Sequence, residues 1–389
     1  MNILFILYDS FISNSAIHVH NFANALSESG HDCTVMAKSH KNSIQEFIAP
    51  HIAYTALEFA DIRQKRLPFK NNQEPDIIHA WTPREAVRNI VKPLSGEYPQ
   101  AKVAIHLEDN EEQILAGATR LPSAVLKFFP YFLLKKMFAD QFAHPRYYKK
   151  FIADSDGFTL IMDTLQKFVP REKPSIILWP IINMDDYSVN LDIRQYRKQL
   201  GIGQNDFLVA YTGNTHQSNA EEVRSLYVSI GLANQEGLSV KLLRTGTHYC
   251  SFLQPDEAWI QDFVIELGFV SRSDLLACMT AADLLIQPGN PGPFNDYRLP
   301  SKIPEFLSMG KPVILPDSNI AHFLRDGEEA IILKHGHAEE IKNIILALNQ
   351  DREQLNRLSI GGKKFAAKNF EKASIVTKLE AFYHQLLGS

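Results

Sequence analysis

Short apolar runs alternate with helically spaced segments along both halves of the chain, which is how parallel sheets with crossover helices read. In the first half the runs predict strands at 3–7, 34–37, 77–80, 103–107, 158–162 and 176–179. After the first of them, Ile17, Phe22, Ala25 and Leu26 share a helical face, and Gly30 ends that segment. The second half repeats the alternation at 208–212, 240–243, 264–267, 284–287, 313–315 and 331–333. The pattern predicts an α/β chain.

The stretch PFNDYRLPSKIPEFLSMGKPVILP, residues 293–316, reads as a loop, a helix, a turn and a buried strand. Ser301 is placed to cap the helix, Pro304 falls in its first turn, and Gly310 stops it. A helix start carries unpaired N–H groups and a partial positive charge, so it suits an anion. Arg298 just before that start and Lys302 on it add two side-chain phosphate ligands. Glu305, one turn further, is placed to accept hydrogen bonds from a ribose diol. Cations, helix start and carboxylate together predict a nucleotide diphosphate site. In the first half, His106 ends the strand 103–107, at the edge where open α/β sheets hold their chemistry. A structural role and a functional role both fit a histidine there.

At 389 residues the chain exceeds one ordinary core, which predicts two domains of roughly 180 residues. Hydrophobic residues make up 45% and charged residues 22%, a soluble globular composition without a disorder signature. A formal charge of −4 and the lack of a basic tail predict no general affinity for nucleic acid. Cys33, Cys250 and Cys278 are isolated, form no metal or disulfide pattern and suit a reducing cytoplasm. The opening MNILFILYDS reads as a first strand rather than a signal peptide, and no stretch reaches the roughly 18 apolar residues of a spanning helix.

Two acidic clusters bear on metal binding. The run Glu108, Asp109, Glu111 and Glu112 reads as a solvated helix start complementing the dipole. Asp154-Ser155-Asp156 reads as a turn ahead of a strand. No metal is expected at either. The stretch 121–150 holds Phe128, Phe129, Tyr131, Phe132, Leu133, Leu134 and Phe138 among six basic residues and one acid, Asp140. It reads as a pair of helices packing on the sheet with basic faces in water, or as an interfacial element held to an anionic leaflet.

With these residues in view, the chain resembles family 4 of the retaining glycosyltransferases, which have the two-domain B-type fold. That family's signature is a Glu, seven residues, a second Glu on a helix, then a small residue and Pro-Val-Ile. Glu305, Gly310, Pro312, Val313 and Ile314 match the second half. Tyr297 stands where the first Glu would be, and Pro300-Ser301-Lys302 is similar to a subset of the family. Other similar stretches are the strand ending in His79, ILWPIINMDDYS at the domain crossing, and ELGFVSRSDLLACMTAADLLIQPG.

The resemblance implies two Rossmann-like domains with parallel sheets facing a central cleft. Residues 1–181 would form the acceptor-side domain and 182–366 the nucleotide-sugar domain. A last helix, within 367–389, would cross back to the first domain after a break at Gly361-Gly362-Lys363-Lys364. The loop 9–15 would lie near the phosphates. His106 would approach the transferred sugar, and Gly268, Phe269 and Val270 would read the base. Asp283 would begin the strand that feeds the donor loop, with Gly292, Phe294 and Asn295 forming the floor beside the sugar. The family's phosphate-clamping Arg and Lys are replaced here by Asn214, His216 and Asn219. Phosphate charge therefore falls to Arg298, Lys302 and Arg244.

The sequence thus reads as a retaining, hexosyltransferase-type enzyme that moves a sugar from a nucleotide-diphosphate sugar to a saccharide or lipid-linked acceptor. It needs no metal or other cofactor and works in the cytoplasm or at the inner membrane face, in bacterial surface polysaccharide or glycolipid assembly. His106, Arg298 and Lys302 are the catalytic candidates. Asn214, His216, Arg244, Gly268, Phe269, Val270, Asn295, Tyr297, Ser301 and Glu305 are the candidates for binding the nucleotide sugar. The alternatives are a sugar-nucleotide epimerase of the same architecture and a catalytically silent nucleotide-sugar-binding or scaffold protein.

Overall fold

The apolar runs form two parallel sheets, one in each of the two units of the computed structural model. The first unit comprises Met1–Ile181 with Lys372–Ser389, and the second Ile182–Glu371. The structure describes residues 1–47, 51–63, 67–119, 121, 123–128, 130–138, 140–187, 191–292 and 295–388.

In the first unit the strands are β1 (Asn2–Leu7), β2 (Asp32–Ala37), β3 (Thr55–Glu58), β4 (Ile77–Trp81), β5 (Lys102–Leu107), β6 (Gly157–Leu160) and β7 (Ser175–Ile177). They lie in the order β3-β2-β1-β4-β5-β6-β7. Every residue of β1 is buried, as expected where helices cover both faces of a parallel sheet. In the second unit, β8 (Phe207–Thr212), β9 (Val240–Thr245), β10 (Val264–Glu266), β11 (Leu284–Ile286), β12 (Val313–Pro316) and β13 (Ile331–Leu333) take the order β10-β9-β8-β11-β12-β13. Each sheet reverses its winding once, between β1 and β4 and between β8 and β11. At such a switch point the crossovers leave to opposite faces and open a crevice at the carboxyl ends of the strands.

Four departures from the sequence reading lie in the fold itself. The edge strand β3 is absent from the predicted set because Thr-Ala-Leu-Glu neither alternates nor favours a sheet. Gly361 and Gly362 do not break the chain but lie inside the helix Arg352–Asn369. A Cβ on Gly361 would strike the Glu328 carbonyl, and one on Gly362 would come within 3.1 Å of Leu307. The pair is there for close packing. Ser301 is not a side-chain cap: its backbone is already helical, at φ −55 and ψ −21, and its hydroxyl makes no capping bond. The helix it precedes, Lys302–Ser308, has seven residues. Lastly, Asn14 and Ser15 open the helix Asn14–Glu28, with Ser13 as the cap accepting from Ala16 N, so the loop after β1 is shorter than 9–15.

The final helix, Lys372–Leu387, packs within the first unit. Gly157 makes room for it, since a Cβ there would lie 2.7 Å from Leu386 and 3.0 Å from Phe382. In the stretch 121–150, Leu126 is buried with Leu115 and Phe142, but Phe128 is 78% and Phe132 67% exposed. The reading as helices wholly packed on the sheet fails for those two rings. Phe129 and the side chains of Tyr131, Leu134 and Phe138 lie outside the described residues. No helix among the described residues is long and apolar enough to cross a membrane.

Candidate functional site

At the switch point of the second unit, three strand-end loops touch through their glycines. Gly246 N donates to Gly268 O at 2.6 Å. Gly246 has φ +103, and a Cβ on it would lie 2.6 Å from the Gly213 carbonyl; both facts require glycine. Beneath them Arg244 is fully buried. It donates to Gly213 O (2.8 Å), Gly246 O (3.1 Å), Thr215 Oγ1 (2.9 Å) and Glu266 Oε2 (3.1 Å). As a candidate phosphate ligand it lies beneath the loops rather than at their surface. Its guanidinium is committed to fastening the loops, opposite Glu266 in the register of β9 and β10.

Lys302 reaches the same point from the other side of the reversal. Its ammonium lies 5.6 Å from the centre of the Tyr211 ring. A Cβ on Gly213 would sit 2.6 Å from both Cε and Nζ of Lys302, so the missing side chain of Gly213 is what admits the lysine. Burial, and then the charge of Arg298, bring the Lys302 pKa down to about 8. Arg298 is oriented by Asn295, whose Oδ1 accepts from its Nη2 at 2.8 Å. Asn295 in turn donates to Glu222 Oε1 at 2.7 Å. Glu222 is a contact of this cluster that the sequence reading missed. Its carboxyl is pushed up by burial against the pull of Asn295. Tyr297 ends the turn Asn295–Tyr297 beside Arg298, Ser301 is exposed, and Phe294 lies outside the described residues.

Glu305 sits one turn into its helix, within a trio. Its Oε1 accepts from Arg272 Nη1 at 2.7 Å and from the Tyr187 hydroxyl at 3.1 Å. Arg272 Nη2 donates to the same hydroxyl at 2.9 Å. Both bonds to Glu305 fall on one oxygen. Just before Arg272, Phe269 projects with 89% of its surface exposed and Val270 is half-buried. Asn214 accepts from Thr247 N at 2.8 Å and so ties the loop after β8 to that after β9. His216 stacks on Tyr249, their rings 4.7 Å apart and 7° from parallel.

In the first unit, His106 closes β5 opposite Trp81 on β4 and stacks on its ring at 4.0 Å. Its pKa is well below 6.5, because of burial first and His79 next, so the imidazole is neutral. Trp81 Nε1 and Ser15 Oγ donate to the two oxygens of Glu108, at 2.5 and 2.9 Å. Burial, then Asp109, raises that carboxyl to about 7. Arg84 is bound to Glu111 through Nε, at 2.9 and 3.0 Å, and to Asp109 at 3.2 Å. The acidic run does open a helix, with Glu111 and Glu112 in the first turn of Glu111–Thr119, but Glu111 is buried and the run is not solvated as expected. Arg84, buried just before the next helix, draws it into the protein, a countercharge that periodicity does not reveal. Asp156 holds Val103 N at 2.8 Å, and Asp154 ends the helix Tyr148–Asp154. Among the described residues, no group of three or more His, Cys, Asp or Glu is placed to hold a metal ion.

No curated protein sequence matches the chain. Its fold is similar to that of Anabaena Alr3699/HepE in complex with UDP (TM-score 0.71, 17% identity, 99% of this chain and 100% of that one). The same protein with UDP-glucose gives 0.68 at 16% identity, with 99% and 100% covered. The sucrose-phosphate synthase tll1590 of Thermosynechococcus elongatus gives 0.67 at 13% identity, with 100% and 99% covered. WaaG, a glycosyltransferase involved in lipopolysaccharide biosynthesis, gives 0.61 at 14% identity over all of both chains. The architecture of two parallel-sheet Rossmann-like domains is that of the B-type glycosyltransferases. Residues 206–351, which include the switch point with Lys302 and Arg298, match the family described as Glycosyl transferases group 1.

Proposed function

We propose that the protein transfers a sugar from a nucleotide-diphosphate sugar to an acceptor hydroxyl with retention of configuration. The observation that carries this reading is Lys302 lodged against Gly213 at the switch point, with Arg298 four residues before it. Two cations at the carboxyl ends of parallel strands suit a diphosphate. The group 1 domain and the UDP and UDP-glucose complexes of the Anabaena protein support the same substrate class.

In the proposed reaction the bond from sugar carbon to diphosphate oxygen breaks, and its electron pair leaves with the diphosphate. Arg298 and Lys302 stabilise that charge as it forms, the main demand of such a step. The acceptor oxygen bonds to the oxocarbenium-like carbon on the face just vacated, and its proton passes to the departing diphosphate. Phe269 offers a ring for the base, Glu305 binds the ribose, and His106 is the catalytic candidate of the first unit. Fixed cations take the place of a divalent ion, so turnover is expected to persist in excess chelator.

The test is a thermal-shift panel of nucleoside diphosphates and their sugars, starting with UDP and UDP-glucose, followed by turnover with and without acceptor. A ligand at 100 times its Kd adds about 2.7 kcal/mol of stability, a shift of several degrees. No shift with any member would sink the reading. Binding without turnover favours a silent binder, and release of nucleotide without acceptor favours an epimerase.

The exposed Phe128 and Phe132 lie among Lys127, Lys135 and Lys136. This supports peripheral contact with an anionic membrane, where a lipid-linked acceptor resides. The protein is expected to sediment with anionic but not neutral vesicles, less so as salt shortens the Debye length. Replacing both phenylalanines with serine should abolish sedimentation. Equal binding to both vesicle types, or none, removes the membrane from the proposal.

A further inference from the structure

A line of buried side chains joins His106 to the last helix. Tyr383 Oη lies 2.7 Å from His79 Nδ1, and His79 Nε2 lies 2.9 Å from Thr159 Oγ1. Thr159 Oγ1 lies 2.8 Å from His106 Nδ1. The sheet register sets the line up: Thr159 is opposite His106, and Ala104, opposite His79, is small enough for that imidazole to reach across β5. Tyr383, His79 and Thr159 are fully buried, and His106 is 1% exposed. The line ends at His106 Nε2, which is buried and has no partner among the described residues.

Burial keeps the phenol protonated and both imidazoles neutral. A neutral imidazole has one N–H and one bare nitrogen, and the bond made by one nitrogen decides which is which. Three arrangements of protons keep all three contacts. In one of them both imidazoles donate to Thr159 and its hydroxyl hydrogen is stranded in the middle of the line, which leaves two to compare. In one, Tyr383 donates to His79 Nδ1, His79 Nε2–H donates to Thr159, and the threonine hydroxyl donates to His106 Nδ1. The proton of His106 is then on Nε2. The other arrangement reverses every bond, leaves His106 Nε2 bare and strands the phenolic hydrogen. Each has one hydrogen to spare, at opposite ends of the line. The Tyr383 end is fully buried beside His79, Phe382 and Cys33, and among the described residues its hydroxyl bonds to His79. The His106 end is at the carboxyl edge of β5, the edge at which open α/β sheets bind their ligands. Only the first arrangement puts the spare hydrogen at that edge, where water or a ligand can accept it, and a stranded buried donor is costly.

We propose that Tyr383, acting through His79 and Thr159, holds His106 as the Nε2–H tautomer, so that His106 offers a neutral N–H to a hydroxyl or phosphoryl oxygen of the substrate. Tyr383, His79 and Thr159 are then positioning residues. The identity of that oxygen rests on the proposed sugar transfer; the tautomer itself does not.

The protein labelled with nitrogen-15 histidine, read by long-range proton–nitrogen correlation spectra, shows the tautomers directly. His106→Gln and His79→Gln identify their signals among the 14 histidines. Both residues are expected as Nε2–H in the free wild-type protein, and Nδ1–H at His106 would overturn the proposal without any variant having to fold. Thr159→Val should give His106 a mixture of tautomers, Thr159→Ser should restore the single form, and Tyr383→Phe should mix both histidines. A His106 signal unchanged in Thr159→Val and Tyr383→Phe overturns the relay. Where the tautomer moves, kcat should fall severalfold. A moved tautomer with unchanged turnover would overturn the substrate-facing role of His106 and leave the tautomer control standing, whatever the outcome of the nucleotide panel.

Discussion

Lys302→Ala is expected to lower affinity for the nucleotide sugar, or its rate of transfer, about 10- to 100-fold. A hydrogen bond to a charged group is worth roughly 1.5–3 kcal/mol, and 1.36 kcal/mol is a factor of ten. Arg298→Ala should fall in the same range. The fold should hold, because burial and Arg298 already disfavour the charged lysine. The sign follows from linkage. With its pKa lowered from 10.5 to about 8, Lys302 binds its proton less tightly in the folded protein than in the unfolded chain. Its contribution to stability therefore rises as pH climbs from about 8 toward 10.5. Phosphate binding has the opposite dependence: kcat/KM for the nucleotide sugar should fall as pH passes about 8, and Lys302→Arg should remove that limb. Gly213→Ala is an independent probe of the same contact, since its Cβ would displace the ammonium from 2.6 Å away. It should reproduce most of the loss and add little to Lys302→Ala, because the two act on one interaction. Wild-type affinity and rate in Lys302→Ala and Arg298→Ala would remove the phosphate from this site.

The parts of this arrangement that were legible in the sequence are those with a local cause. Strands buried on both faces must be apolar throughout, so β1, β4, β5, β8 and β12 stand out as runs. Arg298 and Lys302 flank a helix start with its proline in the first turn and Gly310, at φ +63, past its end. The parts that were not legible depend on residues distant in sequence. Arg244 looks available at the end of its strand until Glu266 is set opposite it. The role of Gly213 is the absence of an atom next to a lysine far along the chain. The acidic run looks solvated until Arg84 is placed beside it. Arg272 and Glu222 carried no pattern of their own, because each acts through one partner brought near by the fold.

Glu305→Gln is expected to raise the KM for the nucleotide sugar about 10- to 100-fold, the range for hydrogen bonds to a charged group, with a smaller change in kcat. A carboxylate that binds a ribose holds ground and transition states alike, and uniform binding appears in KM. The free nucleoside diphosphate should weaken by the same factor. The trio with Arg272 and Tyr187 supplies the competing account, in which Glu305 serves only to hold Arg272. That ion pair is partly open, with side-chain exposures of 50% and 21%, and such pairs contribute about 0–1 kcal/mol. Losing it should lower the melting temperature by a few degrees at most. Arg272→Ala separates the two accounts, since it removes the ion pair but keeps the carboxylate. If Glu305 binds ribose, Arg272→Ala should shift KM by much less than Glu305→Gln does. If both variants raise KM equally, the carboxylate acts through the arginine. A lowered melting temperature with unchanged nucleotide affinity in Glu305→Gln would make the residue purely structural, and the ribose would have to be met elsewhere among the loops after β9 and β10.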